Sequence, residues 1–430
     1  MAPQTHKAKP PISEPRPSSS ILLISPENQI LLLHRVKTSS SFASAHVFPG
    51  GNLSSSQDGP IPAPSSPERH VDSPVYRLGA IRECFEESGI LLARHRDGGG
   101  MLEVPDAERE RARRAIHSGE LKFSEWVKEM GGVVDADALL PFTRWVTPTT
   151  IPRRFTTQMY VYFWPLSEAG PIEGNATIPT PTSDGGLEHT TAVFQPCAAW
   201  LAQARRNEII MFPPQFYLIW LLCKFLEEGD LRAQREKIRE FLKGSGGNGV
   251  PWADKVMSPV PLGMFEGKAV LNLDHPGPEL KGSGRRGENA HVVQVRFSKE
   301  GPRDVEGRNS SRQIVRFVKS VITHRTKSVI THHAKSVMSS IIEKIIKDPS
   351  KKKKSPRAWL ATPLVKELLA EADRMSLERV VIPGWEEFGK DLRPLSVAMD
   401  RYLALPEAEK AAAFDAVLLE AEQVVNLLTN

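Results

Sequence analysis

The stretch Arg82-Glu83-Cys84-Phe85-Glu86-Glu87-Ser88-Gly89-Ile90 holds three carboxylates, and their spacing matters more than their number. On a helix, residues three and four apart share a face, so Glu83 stacks with Glu86 and Glu87. Three negative charges on one patch repel unless a cation sits among them. Carboxylate oxygens are hard ligands, which points to Mg²⁺ or Mn²⁺ held by Glu83, Glu86 and Glu87. Arg82 lies four residues before Glu86 and can brace that carboxylate from the side. The alternative is a solvated acidic helix face, the common fate of Glu-rich segments.

A helix must carry these groups. Asp72-Ser73-Pro74 supplies an N-cap and a Pro for the first turn, and Gly89 supplies the stop. Upstream, Ser19 to Ser25 and Ile30 to Arg35 read as strands around the turn Pro26-Glu27-Asn28-Gln29. A third strand near Ala45 to Phe48 feeds the pair Gly50-Gly51. The run from Ser54 to Arg69 is rich in Ser and Pro and reads as a flexible loop.

Arg-Glu, an apolar residue, then Glu-Glu and Gly resembles the second half of a Nudix box, with Cys84 and Ile90 in its apolar slots. Its first half departs from that pattern. The opening Gly would stand at position 68, which is Glu68, while a Gly pair lies further back at Val47-Phe48-Pro49-Gly50-Gly51. An insertion over about 54–71 resembles the acyl-coenzyme A diphosphatase branch of the Nudix hydrolases. The early box Glu has three candidate stand-ins, Asp58, Glu68 and Asp72. The resemblance implies an α/β Nudix fold, a mixed β-sheet between α-helices. It also implies structural support of the box by Arg82, Gly50, Gly51 and Gly89.

Charge and apolar residues alternate at helical spacing from Ala107 to Met130, giving one or two amphipathic helices. Leu140 to Pro148 leads through Arg153-Arg154-Phe155 into a strand from Met159 to Trp164. Guanidinium matches phosphate bidentately, so Arg153 and Arg154 are candidate substrate contacts, with a solvated basic turn as the alternative. Glu188 precedes a strand at Thr190 to Phe194. Resemblance makes it a candidate base or further metal ligand beside Glu86 and Glu87; otherwise it is a strand-edge Glu. Pro213-Pro214-Gln215 starts a helix that is apolar nearly all round, and so a core helix. The same three residues resemble the branch's substrate-side segment. Strand candidates at Ala269 to Leu273 and Val292 to Phe297 complete the domain.

The chain has 430 residues, 40% apolar and 25% charged, enough for at least one sizeable core. Residues 1–18 read as a disordered lead, 19–300 as the hydrolase domain, 301–354 as a basic repeat linker and 355–430 as a helical region. Within the linker Lys319-Ser320-Val321-Ile322-Thr323-His324 recurs eight residues later. Residues 312–357 carry thirteen Lys and Arg against two acids. That charge suits weak nucleic-acid contact, although no aromatic platform interleaves it. Three cysteines at 84, 197 and 223 leave no disulfide framework and suit a reducing, cytoplasmic setting. No apolar run is long enough to span a membrane, and no clear mitochondrial or peroxisomal signal stands out.

Together these features favour a metal-dependent hydrolase of a phosphoanhydride. Resemblance narrows the substrate to coenzyme A or acyl-coenzyme A, giving 3',5'-ADP and a phosphopantetheine product. Two other readings compete with it. One is a Nudix hydrolase of nucleotide sugars or capped RNA, and the other a non-catalytic Nudix-fold binder with a basic tail.

Overall fold

The computed structural model describes residues 12–36, 43–166, 178–182, 189–227 and 229–310. The basic repeat and the helical region expected after it lie outside the described residues, as do most of the lead and Glu188. In chain order the elements are β1 (Arg16–Ile24), β2 (Ile30–Arg35), β3 (His46–Val47), β4 (Gly50–Asn52), α1 (Pro74–Ser88) and β5 (Ala93–His95). Next come α2 (Asp106–His117), α3 (Phe123–Glu129), β6 (Gly132–Val134), β7 (Leu140–Val146), β8 (Phe155–Phe163) and β9 (His189–Gln195). The rest are α4 (Cys197–Arg205), α5 (Pro213–Cys223), α6 (Leu231–Lys243), β10 (Val256–Met257), β11 (Val260–Phe265), β12 (Lys268–Leu273), β13 (Glu288–Ser298) and β14 (Gly301–Asn309).

The main sheet runs β10-β7-β8-β1-β2-β3, with β4 also on β1 and β9 also on β2. It is mixed: β1 and β8 pair in parallel from Arg16↔Phe155 to Ile24↔Phe163, while β1 and β2 are antiparallel. A central strand covered on both faces reads as an unbroken apolar run, and Ile21-Leu22-Leu23-Ile24 is one, with all four side chains fully buried. Ile21 and Leu23 face a core built with Tyr76, Ile81 and Phe85 of α1 and Trp126 of α3. Leu22 and Ile24 face the opposite core, with Trp200 of α4 and Phe216 and Leu218 of α5. The result is a mixed sheet between helices, the architecture expected from the sequence.

Strands β11 to β14 form a separate antiparallel meander. Its Leu271, Val293, Val295 and Val305 belong to the core of α4 and α5. Gly307 lies so close to the Trp220 ring that a Cβ there would stand 2.7 Å from it. Both ends of the expected domain therefore shift. Strand β1 starts at Arg16 inside the presumed lead, and β14 occupies 301–309, positions assigned to the linker.

The presumed flexible loop also differs from expectation. Gln57 and Asp58 are buried. The Gln57 amide donates to Leu121 O at 2.8 Å and accepts from Phe123 N at 2.9 Å, which ties the loop's start to α3. Polar side chains of this kind can anchor a loop whose backbone pattern shows no periodicity. Among the described residues, no helix is long and apolar enough to cross a membrane.

Candidate active site

Helix α1 presents the three carboxylates as its spacing predicts. Pro74 opens it, and Gly89 closes it in the left-handed region at φ 73°, donating to Phe85 O at 2.9 Å. Ser73 is its N-cap but makes no side-chain cap bond. Asp72, just before it, accepts from Arg77 Nη2 at 2.6 Å and Tyr160 OH at 2.5 Å. At the other end Arg113 of α2 donates to Glu86 O at 2.8 Å, satisfying a carbonyl the helix leaves open.

Arg82 is buried and uses all five N–H groups. Nε and Nη2 grip Asp58 at 2.7 and 2.9 Å, and Nη2 also reaches Asn52 O at 3.0 Å. Nη1 reaches Glu83 at 2.9 Å and Glu86 at 2.7 Å. Of the three candidate acids before the box, only Asp58 meets Arg82. Glu68 lies exposed on a 3-10 turn at 67–70, and Asp72 braces Arg77.

One guanidinium thus faces three carboxylates, with Glu87 close behind. Burial pushes the Glu83 carboxyl up to about 7, Arg82 opposes that rise, and the Glu86 charge adds to it. The local surplus of negative charge is what a divalent cation would relieve.

The paired glycines come next. Strand β4 lies antiparallel to β1, with Ser20 opposite Gly50 and Ser19 opposite Gly51. This pairing brings Gly50 N to Glu87 Oε2 at 2.7 Å. At Gly51 a Cβ would stand 2.4 Å from Glu83 Oε2, so only glycine lets the carboxylate lie against the backbone.

Two histidines were not signalled by the box. His189 is fully buried at the start of β9 with Nε2 3.6 Å from Glu87 Oε1, and His117 Nδ1 of α2 lies 3.2 Å from Glu86 Oε2. Both are far from α1 in sequence, and the sheet and helix packing alone brings them there.

A cavity of about 790 Å³ opens over this end of α1. Glu83, Glu87, Gly50 and Gly51 line it, and so do Arg153, Arg154 and Pro213-Pro214-Gln215. Residues singled out separately along 165 positions therefore share one wall system. Glu86 does not line the cavity and is held by Arg82 and His117. Arg153 is exposed at the rim.

Arg154 is not the free phosphate contact its sequence suggested. It is buried, with Nε on Thr147 O at 2.9 Å, Nη1 on Ser13 O at 2.9 Å, and an ion pair to Glu279. Its Nη2 and Gln215 Oε1 are buried polar atoms with no hydrogen-bond partner among the described residues.

Among the described residues, no three His, Cys, Asp or Glu side chains converge on one point in the manner of a metal site. Arg82 draws Glu83 and Glu86 toward itself, while Gly50 holds Glu87. The donor chemistry nevertheless fits a hard divalent ion: three carboxylates on one helix face, two of them on the cavity.

Residues 67–222 match the sequence model of the NUDT19 Nudix domain. Acyl-coenzyme A diphosphatase NUDT19 of Gallus gallus is 28% identical over 249 residues, covering 47% of this chain and 63% of that protein. The Xenopus laevis protein of the same name is 27% identical over 246 residues, covering 47% of this chain and 62% of that protein. The chain thus spans less than two thirds of the length of these relatives. A solved NUDIX hydrolase from Alicyclobacillus acidocaldarius aligns at a TM-score of 0.39 with 22% identity, over 50% of this chain and 92% of the other. The chain carries a Nudix domain that resembles the acyl-coenzyme A diphosphatase branch.

Proposed function

We propose that the chain is a Nudix pyrophosphohydrolase that cleaves the phosphoanhydride of coenzyme A or acyl-coenzyme A, using Mg²⁺ or Mn²⁺. One observation carries this reading. Glu83 and Glu87 of α1 line the same cavity as Gly50-Gly51, Arg153 and Pro213-Pro214-Gln215. The names of the relatives support the choice of substrate class.

A phosphoanhydride resists attack because its oxygens are negative and repel nucleophiles. Glu83, Glu86 and Glu87 would hold the ion. When bound, the ion neutralises phosphate charge and lowers the pKa of a water molecule. The remaining work falls to the protein. Gly50 N fixes Glu87 Oε2, leaving Oε1 toward His189. In this reading Glu87 takes the proton from the attacking water. Glu188, directly before β9, is the second candidate for that role. Arg153 at the rim supplies positive charge for the phosphates, and Arg154 holds the 147–154 turn in place through Thr147 O.

The test is a hydrolysis screen on the purified full-length chain. Coenzyme A, acyl-coenzyme A, a nucleotide sugar and a capped RNA are each offered with Mg²⁺, with Mn²⁺ and with EDTA. The expected result is metal-dependent release of 3',5'-ADP from the coenzyme A substrates. Preferential cleavage of another substrate would overturn the specificity, and absence of turnover with all four would overturn the activity.

A further inference from the structure

The β11–β14 meander lies outside the segment matched by the Nudix domain model, yet it walls part of the cavity. Pro259, Pro261 of β11, Leu271 of β12 and Phe297 of β13 all line it. No residue from this part of the chain brings a charge or a hydrogen-bonding side chain to the cavity. Leu271 is 4% exposed and rooted in the core, whereas Phe297 is 58% exposed and stands at the rim. The register explains the grouping. Pro261 pairs with Leu271, which sets β11 and β12 side by side at the wall, and Leu271 pairs in turn with Val293 of β13, the strand that carries Phe297.

We propose that this apolar wall receives the aliphatic acyl arm of an acyl-coenzyme A, with Phe297 as a specificity-determining residue. The inference rests on the coenzyme A reading above. Its argument is chemical matching within one continuous cavity. The diphosphate, the ribose phosphate and the pantetheine amides all require polar partners. The acyl chain alone requires none and gains from leaving water. A wall without polar groups suits that arm and leaves the charged wall near α1 to the phosphates. Each methylene laid fully on such a surface is worth up to about fourfold in affinity.

The experiment compares the full-length wild-type chain with Phe297→Ala on coenzyme A and on its acetyl, octanoyl and lauroyl thioesters. Because Phe297 is largely exposed, the variant is expected to fold, and its melting temperature is checked against the wild type. In the wild type, kcat/KM should rise with chain length. The variant should lose roughly fivefold or more on lauroyl-coenzyme A through KM, while coenzyme A itself changes less than twofold. Calorimetric binding of coenzyme A and lauroyl-coenzyme A in EDTA gives a second readout without turnover. There the wild type should prefer the lauroyl ester and the variant should lose that preference.

An equal loss on all substrates would assign Phe297 to the nucleotide rather than the acyl arm and overturn the inference. So would a wild type with no chain-length preference. Hydrolysis without a chain-length effect would sink this inference and leave the proposed activity standing. Chain-dependent binding that Phe297→Ala abolishes, without hydrolysis of any thioester, would do the reverse.

Discussion

Asp58 and Arg82 form a buried two-pronged ion pair, with Nε–Oδ1 at 2.7 Å and Nη2–Oδ2 at 2.9 Å. The pair closes a 24-residue separation that includes most of the Ser- and Pro-rich stretch, and it fixes the guanidinium that braces Glu83 and Glu86. Breaking a buried pair from one side leaves an uncompensated charge and typically costs about 3–5 kcal/mol. The acids at Glu83 and Glu86 soften that loss, so Asp58→Asn should destabilise the chain by about 3 kcal/mol in urea unfolding. Shortening the loop between Pro60 and Ser65 should cost less than about 1 kcal/mol, since closure entropy varies slowly with length. A variant at Asp58 as stable as wild type would show that Asp58 does not anchor the box.

The two adjacent glycines should fail in different ways. Gly50 sits at φ 154°, and a Cβ there would stand 2.3 Å from Ser19 O, a backbone atom that cannot swing aside. Gly50→Ala should therefore lower stability by at least about 2 kcal/mol, as a clash in a packed region does. At Gly51 the obstacle is the Glu83 carboxylate, the far end of a side chain. Gly51→Ala should keep its melting temperature within a few degrees but lose metal-dependent turnover. Paired thermal melts and assays check the contrast, and equal melting losses in both variants would contradict it.

How much of this was legible beforehand depended on where the information lay. Glu83, Glu86, Glu87 and Gly89 are one helical repeat apart, so a local pattern displays them. Asp58 could not be singled out, because the insertion scrambles its distance from Arg82 and three acids competed for the role. His189 gave no signal at all: the β2–β9 pairing, Arg35 opposite His189, delivers it to Glu87. Arg154 misled because a guanidinium near a turn looks solvated until Ser13, Thr147 and Glu279 are seen around it. Strands at 269–273 and 292–297 were foreseen, and the second proves longer, at 288–298; their contribution to the cavity wall depends on tertiary packing and has no sequence signature.

The acidic face should respond to neutralisation one residue at a time. Glu86→Gln leaves Arg82 with Asp58 and Glu83, and Glu87→Gln keeps an oxygen for Gly50 N, so neither should destabilise the metal-free chain by more than about 1 kcal/mol. Turnover should fall at least about a hundredfold in each, the usual scale for removing a group that stabilises developing charge. Wild-type turnover in both variants would remove the carboxylates from the reaction.

Glu83 gives a pH signature. Its carboxyl is raised from an ordinary 4.5 to about 7, first by burial. Between those values the folded chain holds a proton that the unfolded chain releases. Stability from this group is therefore complete below pH 4.5 and is lost as pH rises toward 7. Metal-free wild type should lose stability over that window relative to Glu83→Gln, measured by urea unfolding in EDTA at pH 5 and pH 8. Identical pH dependence in the two proteins would contradict the shift.

The last prediction concerns where the domain ends. Strand β14 pairs with β13 from His291↔Asn309 to Ser298↔Gly301, and its Val305 is 2% exposed within the α4–α5 core. A chain ending at Ser310 should unfold in one cooperative step and retain coenzyme A hydrolysis. A chain ending at Glu300 loses the ladder partner of β13, the burial of Val305, and the packing of Gly307 on Trp220. Those losses should lower its stability by about 3 kcal/mol or more. They should also weaken the acyl-facing wall, because Phe297 pairs with Pro302 of the missing strand. Urea unfolding and chain-length kinetics on both truncated chains check this. Equal stability would place β14 outside the cooperative core, and loss of hydrolysis at Ser310 would extend the catalytic unit past it.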